Sequence, residues 1–236
     1  MSKWIIRIGA ILFTMLAFTA VHAQREVTQL NPPQPVENDG KIEVLEFFAY
    51  GCIHCANLEP SFAAWMKAQP ADVKVKRVPS PVPIMGIDST VLYYSLEALG
   101  QIERLHAKIF EAAHLEKVVL GNPAALNKWL EKNGVDPKKY EEVQKSFSVD
   151  TKVKRARKMV EDYKIHATPM LVVNGRFAVE QGTGGERGLF ANVEQLIGQA
   201  RATMKAASAP TPAPATLPAS APSKTAVKKA TPVAAK

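Results

Sequence analysis

The chain has 236 residues, 47% of them hydrophobic, with 2 cysteines and a formal net charge of +8. That length supports a self-sufficient hydrophobic core, and both cysteines fall in one tetrad, a loop too small to staple a fold. Setting aside Lys3, Arg7 and the five lysines from Lys205 to Lys236 leaves +1 for Gln24 to Met204, which excludes the strong basic field of a nucleic-acid binder.

In chain order, Lys3 and Arg7 precede an apolar run, Ile8 to Ala20, and then Val21-His22-Ala23. This pattern predicts an export signal over 1–23, cleaved after Ala23 to leave Gln24. A retained anchor is the alternative, but the run is shorter than the ~18 residues a spanning helix needs. No later stretch is long and apolar enough to cross a bilayer. Arg25 to Asp39 is polar and proline-bearing, with a short strand at Val27 to Leu30. Lys41 to Ala49 is the strongest strand. A helix behind Cys52 runs to about Gln69, bent by Pro60. Val73 to Val78 alternates valine with Lys and Arg, which predicts a strand with one polar face.

Pro79, Pro81 and Pro83 then break regular structure, and Ser89 to about Tyr163 turns helical. Asn122-Pro123 and Asp136-Pro137 are helix starts, and Gly134 is a stop. Met170 to Val173 and Phe177 to Val179 form a hairpin around Asn174-Gly175. An amphipathic helix follows over about Leu189 to Thr203. The order of strand, helix, strand, helical block, hairpin and helix resembles an α/β thioredoxin fold with an inserted helical domain. Its parts are 24–84, the insertion 85–163, and 164–204. The Ala/Pro/Lys stretch 205–236 is expected to be a disordered arm. Its lysines are expected to be simply solvated, the alternative being contact with anionic lipid.

The chemistry centres on Cys52-Ile53-His54-Cys55, where a strand and Gly51 feed the first turn of a helix. Positions three apart share a helical face, so the two sulfurs can meet. Unpaired N–H groups and the helix dipole favour a thiolate at Cys52. His54 can donate a hydrogen bond or carry positive charge beside it, and Cys55, one turn deeper, would be the resolving thiol. Export places the pair outside the reducing cytosol. A zinc site would need four ligands, and His106, His114 and His166 show no ligand spacing. Covalent haem attachment needs a histidine where Ala56 stands. No metal and no cofactor beyond a redox-active Cys52–Cys55 disulfide is therefore expected.

Two further positions stand out. Alternation puts Glu46 on the face of Val44 and Phe48, either buried beneath the cysteines with a raised pKa and able to shuttle a proton, or pointing out from the strand end. Thr168-Pro169 directly precedes a strand. A cis bond there would face the cysteines and offer the Thr168 backbone to a substrate peptide, although X–Pro bonds are mostly trans.

The run Phe47-Phe48-Ala49-Tyr50-Gly51-Cys52-Ile53-His54-Cys55, with Glu46 before it and Ala167-Thr168-Pro169 downstream, resembles the DsbA family of periplasmic thiol:disulfide oxidoreductases. The resemblance covers about Val27 to Met204. It implies that Cys52 is the nucleophile, Cys55 resolves, His54 stabilises the Cys52 thiolate, Glu46 is the buried acid and Pro169 is cis. It also implies a periplasmic disulfide donor acting on folding exported proteins with free thiols, reoxidised by a DsbB-type membrane quinone reductase. Well-known members carry proline where this chain has Ile53, a position that tunes the redox potential.

An apolar surface of Ile53, Met85 and Met170 is expected to hold unfolded chains, and the protein is expected to act as a monomer without nucleic acid. A disulfide isomerase or reductase is the rival enzyme, but Gln24 to Gly40 is too short for the dimerisation domain such proteins add. A non-catalytic envelope chaperone or adaptor, indifferent to Cys52→Ala, is the rival outside enzymes.

Overall fold

The computed structural model describes residues 26–37 and 39–208, so the expected leader and the tail beyond Ser208 lie outside the described residues. A five-stranded sheet is built from β1 (Val27–Gln29), β2 (Ile42–Phe48), β3 (Val73–Pro79), β4 (Met170–Val173) and β5 (Phe177–Glu180). Their spatial order is β1-β5-β4-β2-β3. Only β2 and β3 run parallel; the other neighbours are antiparallel. A parallel pair needs a crossover, and α1 (Ile53–Ala68) supplies it. Between β3 and β4 come α2 (Ser89–Ala98), α3 (Ile102–His114), α4 (Pro123–Lys132), α5 (Pro137–Gln144) and α6 (Phe147–Asp162), and α7 (Gly185–Ser208) closes the fold. This is a thioredoxin fold carrying a helical insertion.

Every residue of β2 is buried because helices cover both faces of the sheet. On one face Ile42 and Val44 pack with Leu58 and Phe62 of α1 and with Leu189, Val193 and Ile197 of α7. On the other, Leu45 and Phe47 pack with Ala156 and Tyr163 beside α6. Phe48, Ala49 and Tyr50 leave the end of β2 and enter a third cluster with Cys52, Cys55 and the core of the helical insertion. The cysteines thus stand where the sheet meets the insertion.

Local chemistry sets the element ends. Asn122 and Asp136 cap α4 and α5 with their side chains, each followed by proline at the first helical position. The α1 helix begins at Ile53, earlier than apolar spacing alone indicates, with Cys52 as its N-cap, and runs unbroken through Pro60. Its buried residues Cys55, Leu58, Glu59 and Phe62 keep an i, i+3, i+4, i+7 spacing. The hairpin loop holds Asn174 at φ 50 and Gly175 at φ 63 and extends to Arg176, one residue longer than a two-residue turn. The expected tail boundary at 205 is corrected, because α7 continues through Lys205 to Ser208; Lys205, Ala206 and Ala207 are good helix formers. Among the described residues no helix is long and apolar enough to cross a membrane.

Candidate active site

Cys52 sits at φ −85, ψ 116, with no side chain capping α1 ahead of it, so the first-turn N–H groups face the sulfur. Its own N–H donates to the Ala49 carbonyl at 3.0 Å, closing the Ala49–Cys52 turn. A side chain on Gly51 would put its Cβ 2.2 Å from the Ile84 oxygen, so only glycine allows this approach. Both cysteines are free thiols, Cys52 8% exposed and Cys55 1%.

The two sulfurs are electrostatically unequal. A hydrogen bond from the Cys55 thiol lowers the Cys52 pKa to about 5, against the opposing effect of burial. The Thr168 side chain and the backbone N–H groups of Cys55 and His54 add to it. Donating to Cys52 ties the proton to Cys55, whose pKa rises far above its ordinary value, with burial and the Cys52 charge adding. Opposite them the Thr168–Pro169 bond is cis, and the Cys52 thiol donates to the Thr168 carbonyl at 3.2 Å. The sheet and α1 thus bring together Cys52, Cys55 and Thr168, beside buried Pro169.

The remaining expected site residues are placed differently from one another. Ile53 is 49% exposed next to the nucleophile. His54 is exposed, and its imidazole makes no hydrogen bond within the described residues; only its backbone N–H reaches toward Cys52. Met85 is exposed, as are Val82, Leu115 and Val119. Met170 is 1% exposed and packs under the sheet with Phe47 and Tyr163, so it is removed from the expected apolar surface. Its strand lies in the sheet interior between β2 and β5, where both faces are covered.

Glu46 is buried, on the Val44 and Phe48 face. Desolvation raises its pKa to about 8, opposed by Arg77 and reinforced by Glu59. The β2–β3 register puts Glu46 beside Arg77, whose Nε meets the Glu46 carboxylate at 3.2 Å. The same guanidinium donates to both Glu59 oxygens at 2.8 and 2.9 Å. The Nε2 of His106 lies 3.3 Å from Glu59 but is too poorly aligned for a hydrogen bond, and burial lowers this histidine's pKa. Its Nδ1 meets the Tyr50 hydroxyl at 2.9 Å.

A buried polar chain therefore runs from Glu46 through Arg77, Glu59 and His106 to the residue two before Cys52. Sequence reasoning missed its middle. Arg77 shares the face of Val73 and Val75 in β3, a charge on the apolar side that was not singled out, and neither was Glu59, four residues after Cys55. The recurrence of His106, Phe110 and His114 every fourth residue was the available signal. Among the described residues no three His, Cys, Asp or Glu side chains converge as metal ligands.

A thiolate at a helix N-terminus, a protonated partner thiol one turn on and a cis-proline strand facing both make up a thiol:disulfide exchange site. The family model for the DSBA-like thioredoxin domain matches residues 43–188. The thiol:disulfide interchange protein DsbA of Bordetella parapertussis is 40% identical over 197 residues, 82% of this chain and 94% of that protein. That of Pseudomonas aeruginosa is 33% identical over 184 residues, 78% of this chain and 87% of its own. The crystal structure of Pseudomonas aeruginosa DsbA superposes with a TM-score of 0.71 at 33% identity, covering 76% of this chain and 94% of that one. The protein is a thiol:disulfide oxidoreductase. It belongs to the DSBA-like thioredoxin domain family.

Proposed function

We propose that the protein donates disulfide bonds to newly exported proteins in the periplasm, with Cys52 as the exchanging sulfur. The observation that carries this direction is the inequality of the two thiols: Cys52 is held as a thiolate and Cys55 as a thiol. A stabilised thiolate favours the reduced protein, and therefore electron flow from substrate into it.

In the oxidised protein a substrate thiolate attacks Cys52 Sγ. The Cys52–Cys55 bond breaks, Cys55 leaves with the electron pair and is protonated, and a mixed disulfide joins substrate to Cys52. A second substrate thiolate then attacks the substrate sulfur of that bond, and Cys52 leaves as a thiolate. The substrate has lost two electrons and the protein holds the dithiol.

Glu46 serves as the proton carrier for Cys55, since a carboxyl titrating near 8 holds a proton at neutral pH. The His54 side chain supports the Cys52 thiolate, and the Thr168 backbone beside Pro169 aligns an extended substrate segment. Ile53, with Val82 and Met85, offers apolar contact that does not select by sequence. The dithiol needs no bound cofactor. Reoxidation falls to a membrane quinone reductase of the DsbB type.

The test is to mix oxidised protein with a reduced peptide carrying two cysteines and follow both by mass. Full transfer of the disulfide to the peptide is the expected result. A mixture in which the peptide stays reduced would overturn the donor reading.

A further inference from the structure

Tyr50 is the first corner of the Ala49–Cys52 turn, and it is fixed at three separate atoms. Its N–H donates to the Ser89 hydroxyl at 2.9 Å, its carbonyl accepts from His114 Nε2 at 2.8 Å, and its hydroxyl meets His106 Nδ1 at 2.9 Å. Ser89 opens α2, while His106 and His114 lie two turns apart on α3. All three holds therefore come from the helical insertion, and none from the sheet that carries Tyr50. The ring itself is fully buried, edge-on to Phe48 and Phe110 at 5.1 Å each.

The consequence lies two residues on. The Cys52 thiolate is stabilised by N–H and thiol groups whose hydrogen bonds weaken steeply with misalignment. Its sulfur has no covalent tie in the reduced protein beyond its own chain. The turn before it, closed by the Cys52 N–H bond to Ala49, fixes where the sulfur stands relative to Thr168 and the first turn of α1. Holding Tyr50 at its nitrogen, oxygen and hydroxyl leaves this turn no freedom to rock.

We propose that the helical insertion positions the Cys52 sulfur through Tyr50, with His106 and His114 as the positioning residues. His114 acts through its Nε2–H on the main chain. His106 acts through the phenol, whose hydroxyl meets its Nδ1 at 2.9 Å. The ionisable and charged groups facing Tyr50 are His106 and His114 from α3, Tyr93 from α2, Glu59 from α1, Arg77 from β3 and Glu46 from β2. The inference takes Cys52 as the exchanging sulfur, as above. Its test uses reduced protein without substrate, so the outcome does not depend on the direction of exchange.

The experiment is a pH titration of the Cys52 thiolate by its ultraviolet absorbance, with glutathione equilibria and melting curves on the same samples. The variants are Tyr50→Phe, His114→Leu, their double, and His114→Gln, whose amide keeps a donor near the Nε2 position. The double variant is expected to raise the thiolate midpoint by about one pH unit and shift the glutathione equilibrium about tenfold toward the disulfide. His114→Gln is expected to stay near the wild type. A lowered melting temperature with an unmoved midpoint would overturn the proposal, and so would His114→Gln behaving like His114→Leu. Should the double variant not fold, His114→Leu alone decides, with a shift of about threefold expected.

Discussion

The sulfur of Cys52 lies 3.2 Å from the main-chain oxygen of Thr168, a residue 116 positions further along the chain. The carbonyl can accept only from the protonated thiol, whereas the Thr168 side chain favours the thiolate. Thr168→Val keeps the first and removes the second. The Cys52 midpoint should rise from about 5 by roughly half a unit to one unit, read by thiolate absorbance. An unchanged midpoint would place the stabilisation entirely in α1.

The ionisation of Cys52 also sets how the reduced protein's stability depends on pH. Its pKa is depressed from 9.0 to about 5 on folding. Its contribution is therefore fully present above about 9, declines as pH falls, and is gone below about 5. Melting curves of the reduced and disulfide forms should show the reduced form losing its advantage between pH 8 and pH 4. At pH 7, brief treatment with iodoacetamide should add one label, at Cys52, because Cys55 is a buried thiol.

Glu46 works in the opposite sense. Burial raises its pKa from 4.5 to about 8, so the carboxyl costs nothing below about 4.5 and destabilises progressively as pH rises through 8. Glu46→Gln should leave stability at pH 4 nearly unchanged and add on the order of 2 kcal/mol at pH 8 in urea unfolding. The same variant should slow the protonation of departing Cys55, seen as slower disulfide transfer at neutral pH. An equal effect on stability at both pH values would mean that Arg77 keeps the carboxylate ionised throughout.

His54 divides into two contributions, a backbone N–H that any residue supplies and an exposed imidazole. His54→Ala removes only the second. A rise of about one unit in the Cys52 midpoint and a fall of about 30 mV in potential is expected. Titration and glutathione equilibria on one sample measure both; no change in either would leave the backbone as the whole source.

Most of the architecture was legible because it rests on local signals. The apolar run Val44 to Phe48, the Asn-Pro and Asp-Pro helix starts and the Asn174-Gly175 turn each declare their structure within a few residues. The dithiol and the proline opposite it were legible as a motif. What stayed hidden depends on a partner chosen by tertiary packing. Arg77 shares the face of Val73 and Val75, and its role emerges only when the parallel register sets it beside Glu46 and α1 brings Glu59 to the same guanidinium. His106 and His114 become meaningful only once α3 lies across Tyr50. Met170 erred the other way: a residue beside the expected cis-proline reads as surface, but its strand is interior to the sheet.

The most direct test of the donor reading is the reduction potential of the Cys52–Cys55 pair, obtained by equilibrating the purified protein with defined glutathione mixtures. A thiolate held near pH 5 stabilises the dithiol, and each tenfold of that stabilisation raises the potential by about 30 mV. A value more oxidising than about −180 mV is predicted and would establish a disulfide donor in which Ile53 is tolerated between the cysteines. A value near −270 mV, about that of a thioredoxin reductant, would contradict it.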